Sequence, residues 1–265
     1  MPNRERMIRM YDRMMRDRDS RRYYENSGFC NFGYWSGGAK SQREASEQLI
    51  DQLVARIPNK RGRMLDVACG PGASTQRLAL AVAPATITGI NISDTQIADA
   101  RTRAPDCTFH VMNATELDFP DNHFDAVICV ESAYHFDTRD KFLEEAHRVL
   151  KPGGSLVMSD FLFRTPFNSL VEIGHIPAAN LVPRIVDYHD RLAAAGLVAI
   201  DVTDATSSCL DGFRKNLSGW PSAERRAGRM DLLQSLAAAP ICALLAASIG
   251  MVCKSYLLVS ARKPR

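Results

Sequence analysis

The residues best equipped for chemistry sit in two short segments. The first is Met64-Leu-Asp-Val-Ala-Cys-Gly-Pro-Gly-Ala-Ser-Thr75, an apolar run that breaks at Gly70-Pro71-Gly72. Glycines let the backbone turn sharply and admit a ligand where a Cβ would otherwise stand. The second is Val130-Glu-Ser-Ala-Tyr-His-Phe136, where His135 follows another apolar run. An imidazole titrates near neutral pH, so it suits general-base work on a hydroxyl. Asp160 lies near the end of the next apolar run, and its side chain is expected to converge on His135. The remaining histidines are weaker candidates. His110 falls inside a strand and is expected to face a helix layer, His123 sits in a turn, and His147 lies on a helix. His175 and His189 fall in or near a later segment that could line a substrate pocket. Seven cysteines (30, 69, 107, 129, 209, 242 and 253) form no Cys-x-x-Cys pair, so no metal site is expected and most read as reduced core thiols.

These segments need a scaffold, and the hydropathy pattern supplies one. Residues 4–22 read as helix, 26–39 as loop and 42–57 as helix. Strands over 63–69, 86–92, 107–114, 125–130 and 155–163 then alternate with helices over 73–82, 93–103 and 137–150. Ser93 is placed to cap its helix, with Gln96 at the reciprocal position. Such a βαβα rhythm implies a parallel sheet with helices on both faces. After residue 163 the rhythm breaks. A helix over 187–195, a strand over 198–205, helices within 208–250 and a strand over 256–261 suggest a helical lid inserted before the last strand. The expected division is 1–41 as N-terminal helix and lid, 42–163 as core, and 164–265 as substrate lid plus the last two strands.

Composition bounds the partners. The 265 residues carry 33 Lys+Arg against 30 Asp+Glu, and 46% are hydrophobic, which fits a soluble globular chain and excludes a disordered one. A net charge of +3 gives no reason to expect a nucleic-acid partner. The charge is uneven: residues 1–22 hold eight Arg against four acids, leaving the body near neutral. That segment reads first as a solvated helix face, with an arm for an anionic substrate or a subunit contact as alternatives. Residues 236–252 are apolar but interrupted by Pro240, Ser248 and Gly250, so no membrane span is expected. With no leader apparent, the expected setting is cytoplasmic.

Leu65-Asp-Val-Ala-Cys-Gly-Pro-Gly72 resembles the first motif of class I S-adenosylmethionine-dependent methyltransferases. Further stretches resemble that family in order: Ile87-Thr-Gly-Ile-Asn-Ile-Ser93, then Asn113-Ala114 with its acidic-aromatic sequel, then Arg148-Val-Leu-Lys-Pro-Gly-Gly154. The resemblance implies a Rossmann-like α/β fold with a seven-stranded, mostly parallel sheet, and S-adenosyl-L-methionine as cofactor. It implies that Gly70 and Gly72 pass the methionine moiety, with Asp66 holding the loop or the amino group. Asn91 and Ile92 would meet the ribose, Asn113 and Ala114 the adenine, and backbone at Val130 the amino group. One departure stands out: the family usually has an acid where this chain has Asn91. Asn31-Phe-Gly-Tyr-Trp35 resembles an N-terminal feature of small-molecule members that folds over the cofactor, which brings in Trp35 and Tyr24, with Tyr23 as an alternative. A nicotinamide fingerprint is disfavoured because position 75 is Thr rather than Gly.

The His135–Asp160 arrangement resembles sugar and polyketide O-methyltransferases, where a His after strand four pairs with an Asp on strand five. The expected function is therefore O-methylation of a small, hydrophobic secondary metabolite, with His135 as base and Asp160 orienting it. Tyr34, Glu131, Tyr134, Phe163 and His175 are the substrate-lining candidates. Two alternatives stay open: C-methylation of an isoprenoid or aromatic carbon through a cation, and a non-methylating protein that binds the same cofactor. Homo-oligomerisation is also left open.

Overall fold

The computed structural model describes residues 2–164 and 176–265. The chain opens with α1 (Pro2–Arg16) and α2 (Arg18–Tyr23) where one helix was expected. Asp17 separates them: it is extended, and its carboxylate accepts from Ser20 N to cap α2. A loop leads to α3 (Gln42–Ala55), whose Leu49, Ile50, Leu53 and Val54 are buried at helical spacing.

The core follows as β1 (Met64–Val67), α4 (Ala73–Leu78), β2 (Ile87–Asn91), α5 (Asp94–Arg103), β3 (Thr108–Val111), β4 (Phe124–Val130), α6 (Arg139–Val149) and β5 (Leu150–Phe163). Then come α7 (Ile185–Ala194), β6 (Val198–Asp204), α8 (Gly212–Arg226), α9 (Leu232–Val252) and β7 (Cys253–Arg262). The strands form one seven-stranded sheet in the order β3-β2-β1-β4-β5-β7-β6. Strands β1 to β5 pair in parallel, and β7 runs antiparallel between β5 and β6. The expected Rossmann-like topology is therefore present, including helices inserted before the last strand.

Central strands are buried on both faces, as a parallel sheet sandwiched by helices requires. On one side α3 and α4 pack with Ile87, Ile128, Val157 and Phe161; on the other, α6 and α7 pack with Val67, Val127, Met158 and Leu257. The edge strand β3 departs from expectation. Its Phe109 points inward, whereas His110 is exposed rather than set against a helix layer.

The order of strands reverses between β1 and β4, with Val67 paired to Cys129. Loops leaving these strands diverge and open a crevice at their carboxyl ends, where α/β folds hold ligands. Both loops carry non-glycine residues at positive φ, Ala68 (58°) and Glu131 (48°). Such backbone costs about 1–3 kcal/mol per residue and concentrates at functional sites.

Helix α9 also departs from the sequence reading. It runs unbroken through Pro240 for 21 residues and is long and apolar enough, by length and composition alone, to cross a membrane. Its last residue leads directly into β7, inside the sheet.

Candidate active site

A cavity of about 450 Å³ lies at the carboxyl edge of the sheet. Its floor is the β1–α4 turn (Ala68 to Pro71, Ser74), the β2–α5 turn (Asn91 to Ser93, Gln96) and the residues after β4 (Val130 to Ser132, Tyr134, His135). Its roof is α1, α2, the loop through Phe32, and residues of α8 and α9. Of the residues expected from sequence, Gly70, Asn91, Ile92, Val130, Glu131, Tyr134, His135 and Tyr24 meet here.

The β1–α4 turn is built to leave space. Gly70 has φ +55°, and a Cβ added there would reach into the cavity toward Gln96 Oε1 at 3.8 Å and Met15 Cε at 4.0 Å. Gly72 has φ +85°, and a Cβ there would fall 2.8 Å from Ala100 Cα. Gly72 therefore serves close packing of the turn on α5. Asp66 is buried beneath and accepts from Ser74 Oγ (2.8 Å) and Thr75 Oγ1 (2.6 Å). Burial pushes its pKa up to about 6, and the two hydroxyls oppose the rise. Of its two expected roles, holding the loop is the one these contacts describe, and Thr75 has a positive use in that role.

The neutral residue at the end of β2 has both polar ends engaged. Asn91 Nδ2 donates to Gln96 Oε1 (3.1 Å), and Asn91 Oδ1 accepts from Ser93 N (3.0 Å). Ser93 caps α5 as expected, but Gln96 does not complete the reciprocal bond. Its amide instead donates to Asp12 Oδ1 (2.8 Å), which also accepts from Ser93 Oγ (2.8 Å). The carboxylate missing from β2 is thus replaced at this turn by one from α1. Sequence reasoning missed Asp12, because 81 residues separate it from Ser93.

His135 sits in a 3-10 turn after β4. Its Nε2 lies 2.6 Å from the Tyr11 hydroxyl, and the rings meet edge to face. Burial raises the Tyr11 pKa well above the phenol range, so this hydroxyl keeps its proton; the donor in the pair follows the imidazole tautomer.

The expected His135–Asp160 contact is replaced by another arrangement. Asp160 is fully buried, and its Oδ2 accepts from Arg139 Nε (2.8 Å) and Tyr188 Oη (2.8 Å) while Oδ1 accepts from Phe161 N (2.9 Å). Arg139, also fully buried, donates through Nη1 to Asn180 O (2.6 Å), and its backbone N donates to Asn180 Oδ1 (2.8 Å). Asn180 Nδ2 donates to the carbonyls of Tyr134 (3.0 Å) and Phe136 (2.7 Å), which bracket His135. Asp160 is therefore linked to the histidine's backbone through Arg139 and Asn180. A buried charge needs a partner, and Arg139, on the helix after His135, claims this carboxylate.

Several other expectations move. Trp35 does not line the cavity: its Nε1 donates to Phe32 O (2.9 Å), and its ring covers Gly212, where an added Cβ would fall 2.4 Å from Trp35 Cδ1. Phe32 takes the inward place instead, stacked on Phe213 at 4.0 Å. Tyr34 packs on the core behind the loop, and Phe163 supports Tyr134 from behind at 5.4 Å. The Tyr23 hydroxyl is engaged by Gln42 and Asn216. Asn113 bonds within its own turn, Oδ1 to Thr115 N and Nδ2 to Glu116, and Ala114 is buried in the core, so neither lines the cavity. Pocket candidate His175 lies outside the described residues. His189 is half exposed beside Asp190.

Glu131 faces the cavity yet is buried. Its Oε1 accepts from Tyr256 Oη (2.6 Å) and Phe32 N (2.8 Å). Burial pushes its pKa from the ordinary value up to about 8, despite these two donors. A carboxyl held neutral at pH 7 suits an apolar pocket.

The comparisons with known proteins agree with this geometry. A family model described as "Methyltransferase domain" matches residues 65–158. Over 255 residues the chain is 32% identical to 27-O-demethylrifamycin SV methyltransferase of Amycolatopsis mediterranei, covering 88% of this chain and 89% of the relative. The chain is an S-adenosylmethionine-dependent methyltransferase. This methyltransferase is also 30% identical over 203 residues to erythromycin 3''-O-methyltransferase of Saccharopolyspora erythraea, covering 69% of this chain and 66% of that one. Among solved structures it resembles the [4+2]-cyclase SpnF, with a TM-score of 0.66 and 26% identity over 89% of this chain and 88% of that one.

Two measurements check the site's framework. Asp160→Asn leaves Arg139 buried without its counter-charge, so unfolding free energy should drop by about 3–5 kcal/mol in urea titrations. Glu131 titrates the other way. Because its native pKa exceeds the unfolded value, the folded state holds a proton that the unfolded chain has lost, and stability falls as pH rises toward 8. Glu131→Gln should keep both accepted hydrogen bonds and lose less stability than wild type between about pH 5 and pH 8, read as urea midpoints.

Proposed function

We propose that this methyltransferase O-methylates a hydroxyl of a small, largely apolar natural product, with His135 as general base. One observation carries the reading: His135 Nε2 faces the cavity and already holds a hydroxyl, that of Tyr11, at 2.6 Å. An acceptor oxygen entering the cavity takes over that hydrogen bond. The two O-methyltransferase-type relatives named above support the acceptor class. The cavity walls support its apolar character, with Met7, Ile8, Leu217, Leu245 and Ile249 among them.

The residues fit the cofactor. Gly70 leaves the turn open, Val130 and Ile92 bound the crevice, and Tyr24 closes it from α2 and its cap. Bound S-adenosylmethionine supplies an electrophilic methyl group on a sulfonium that leaves as a neutral thioether. His135 Nε2 takes the proton that the acceptor hydroxyl gives up as it becomes a nucleophile, and later returns it to solvent. Asn180 holds the backbone on both sides of the imidazole, so the base keeps its position. Asp160 is a positioning residue in this scheme, acting through Arg139. Asp12 supplies the carboxylate at the ribose corner, a charge-assisted acceptor that Asn91 cannot provide. A reducing, cytoplasmic setting fits seven unpaired cysteines.

Two experiments test this. His135→Ala should bind S-adenosylmethionine in calorimetry as wild type does, while turnover of a labelled methyl group falls about 100- to 10,000-fold. Unchanged turnover refutes the base, and a product labelled at carbon by NMR refutes O-methylation. Asp12→Asn should weaken cofactor binding by about tenfold, the scale of one charge-assisted hydrogen bond. Asn91→Asp added to it should restore binding, and failure of that rescue removes Asp12 from the ribose corner.

A further inference from the structure

Two helices around the cavity have outward faces that the reaction does not use. Helix α9 has no Asp, Glu, Lys or Arg from Leu232 to Val252, and only 17% of its most apolar window is buried. Leu233 is 77% exposed, Leu236 61% and Leu244 68%, and with Pro240 and Met251 they recur at intervals of three, four and seven. They form one continuous apolar stripe. The opposite side of α9 is committed to the protein: Ser235, Cys242 and Ala246 are buried. Leu245 and Ile249 reach the cavity.

Helix α1 has the complementary pattern. Met7, Ile8, Tyr11, Met14 and Met15 face the cavity. Arg6, Arg9, Arg13 and Arg16, at intervals of three and four, are exposed on the other side. A basic amphipathic helix of this kind is the usual form of a membrane-surface segment. Met7 and Ile8 share the cavity wall with Leu245 and Ile249, so both helices border the same cavity with their inward sides and turn the arginine and leucine stripes away from it.

We infer that these two outward faces dock on an anionic lipid bilayer, with the α9 leucines in the acyl boundary and the α1 arginines on lipid phosphates. The sequence alone gave no reason to expect a membrane partner. Helix α9 lies along the surface in this arrangement and does not cross it, because its final residue leads into β7, which is fixed between β5 and β6. A second copy of the chain fits less well. In a two-fold dimer the patch meets itself, and four arginines on one helix would face the same four. A bilayer satisfies both faces at once: apolar area is removed from water, and each arginine near the surface gains from the anionic lipid phosphates. The docking surface itself rests on α1 and α9 and does not depend on methyl transfer.

Sedimentation of the full chain with vesicles decides the matter. The protein should pellet with phosphatidylcholine vesicles containing phosphatidylglycerol, and about tenfold less with phosphatidylcholine alone. Leu236→Glu with Leu244→Glu should abolish pelleting while leaving the thermal midpoint and S-adenosylmethionine affinity unchanged. Arg9→Glu with Arg13→Glu should weaken pelleting and remove its salt dependence. Absence of pelleting with either vesicle overturns the inference. So does pelleting that survives the leucine changes, or a wild-type dimer that those changes convert to monomer without any vesicle binding. Loss of methyl transfer with pelleting retained would count against the catalytic reading alone.

Discussion

The candidate site depends on an ion pair set behind His135 and away from the cavity. Arg139 and Asp160 are both fully buried, and neither charge could stay there without the other. Their contact joins α6 to β5, and Tyr188 adds α7 to the same carboxylate. Arg139 then fixes Asn180, and Asn180 fixes the two carbonyls around His135. The backbone around His135 is thus held by a chain of hydrogen bonds in which only Arg139 Nη2 lacks a partner among the described residues of that chain. A buried network of this kind trades some stability for a single geometry, which suits the base role proposed for His135.

The fold was legible because its signals are local. Apolar strands, glycine turns and helix caps lie within a few residues of one another, and the strand order follows from right-handed βαβ connections. The sequence also placed His135, Glu131, Tyr134 and Gly70 at the carboxyl edge, because position at a strand end depends on the strand alone. It misassigned partners that depend on distant packing. Asp160 is at the end of β5 as expected, but whether it meets His135 or Arg139 depends on how α6 leaves the 3-10 turn. Trp35 and Phe32 are three residues apart in one aromatic loop, and only the placement of Gly212 on α8 decides which faces inward. Nothing within hydrogen-bonding range of Ser93 along the chain announced Asp12.

Neutrality inside the crevice is a second theme. Glu131 is a buried carboxyl whose pKa desolvation raises to about 8, and Asn91 stands where an acid would carry a charge. The floor therefore carries little fixed negative charge. An apolar, weakly charged floor fits the apolar acceptor proposed above.

Asp12 returns one of those charges, from α1 rather than from the sheet. It is adjacent in sequence to Tyr11, so a single turn of α1 touches both the β2–α5 corner and the His135 imidazole. Two sites joined by one rigid helical turn are not independent. If the cofactor engages Asp12 and an acceptor displaces Tyr11, as proposed above, both events act on the same helical turn. Reciprocity of binding free energies requires that each ligand change the other's affinity by the same factor. On the reading proposed above, the helix that closes the crevice links cofactor and acceptor through one turn, Tyr11 and Asp12.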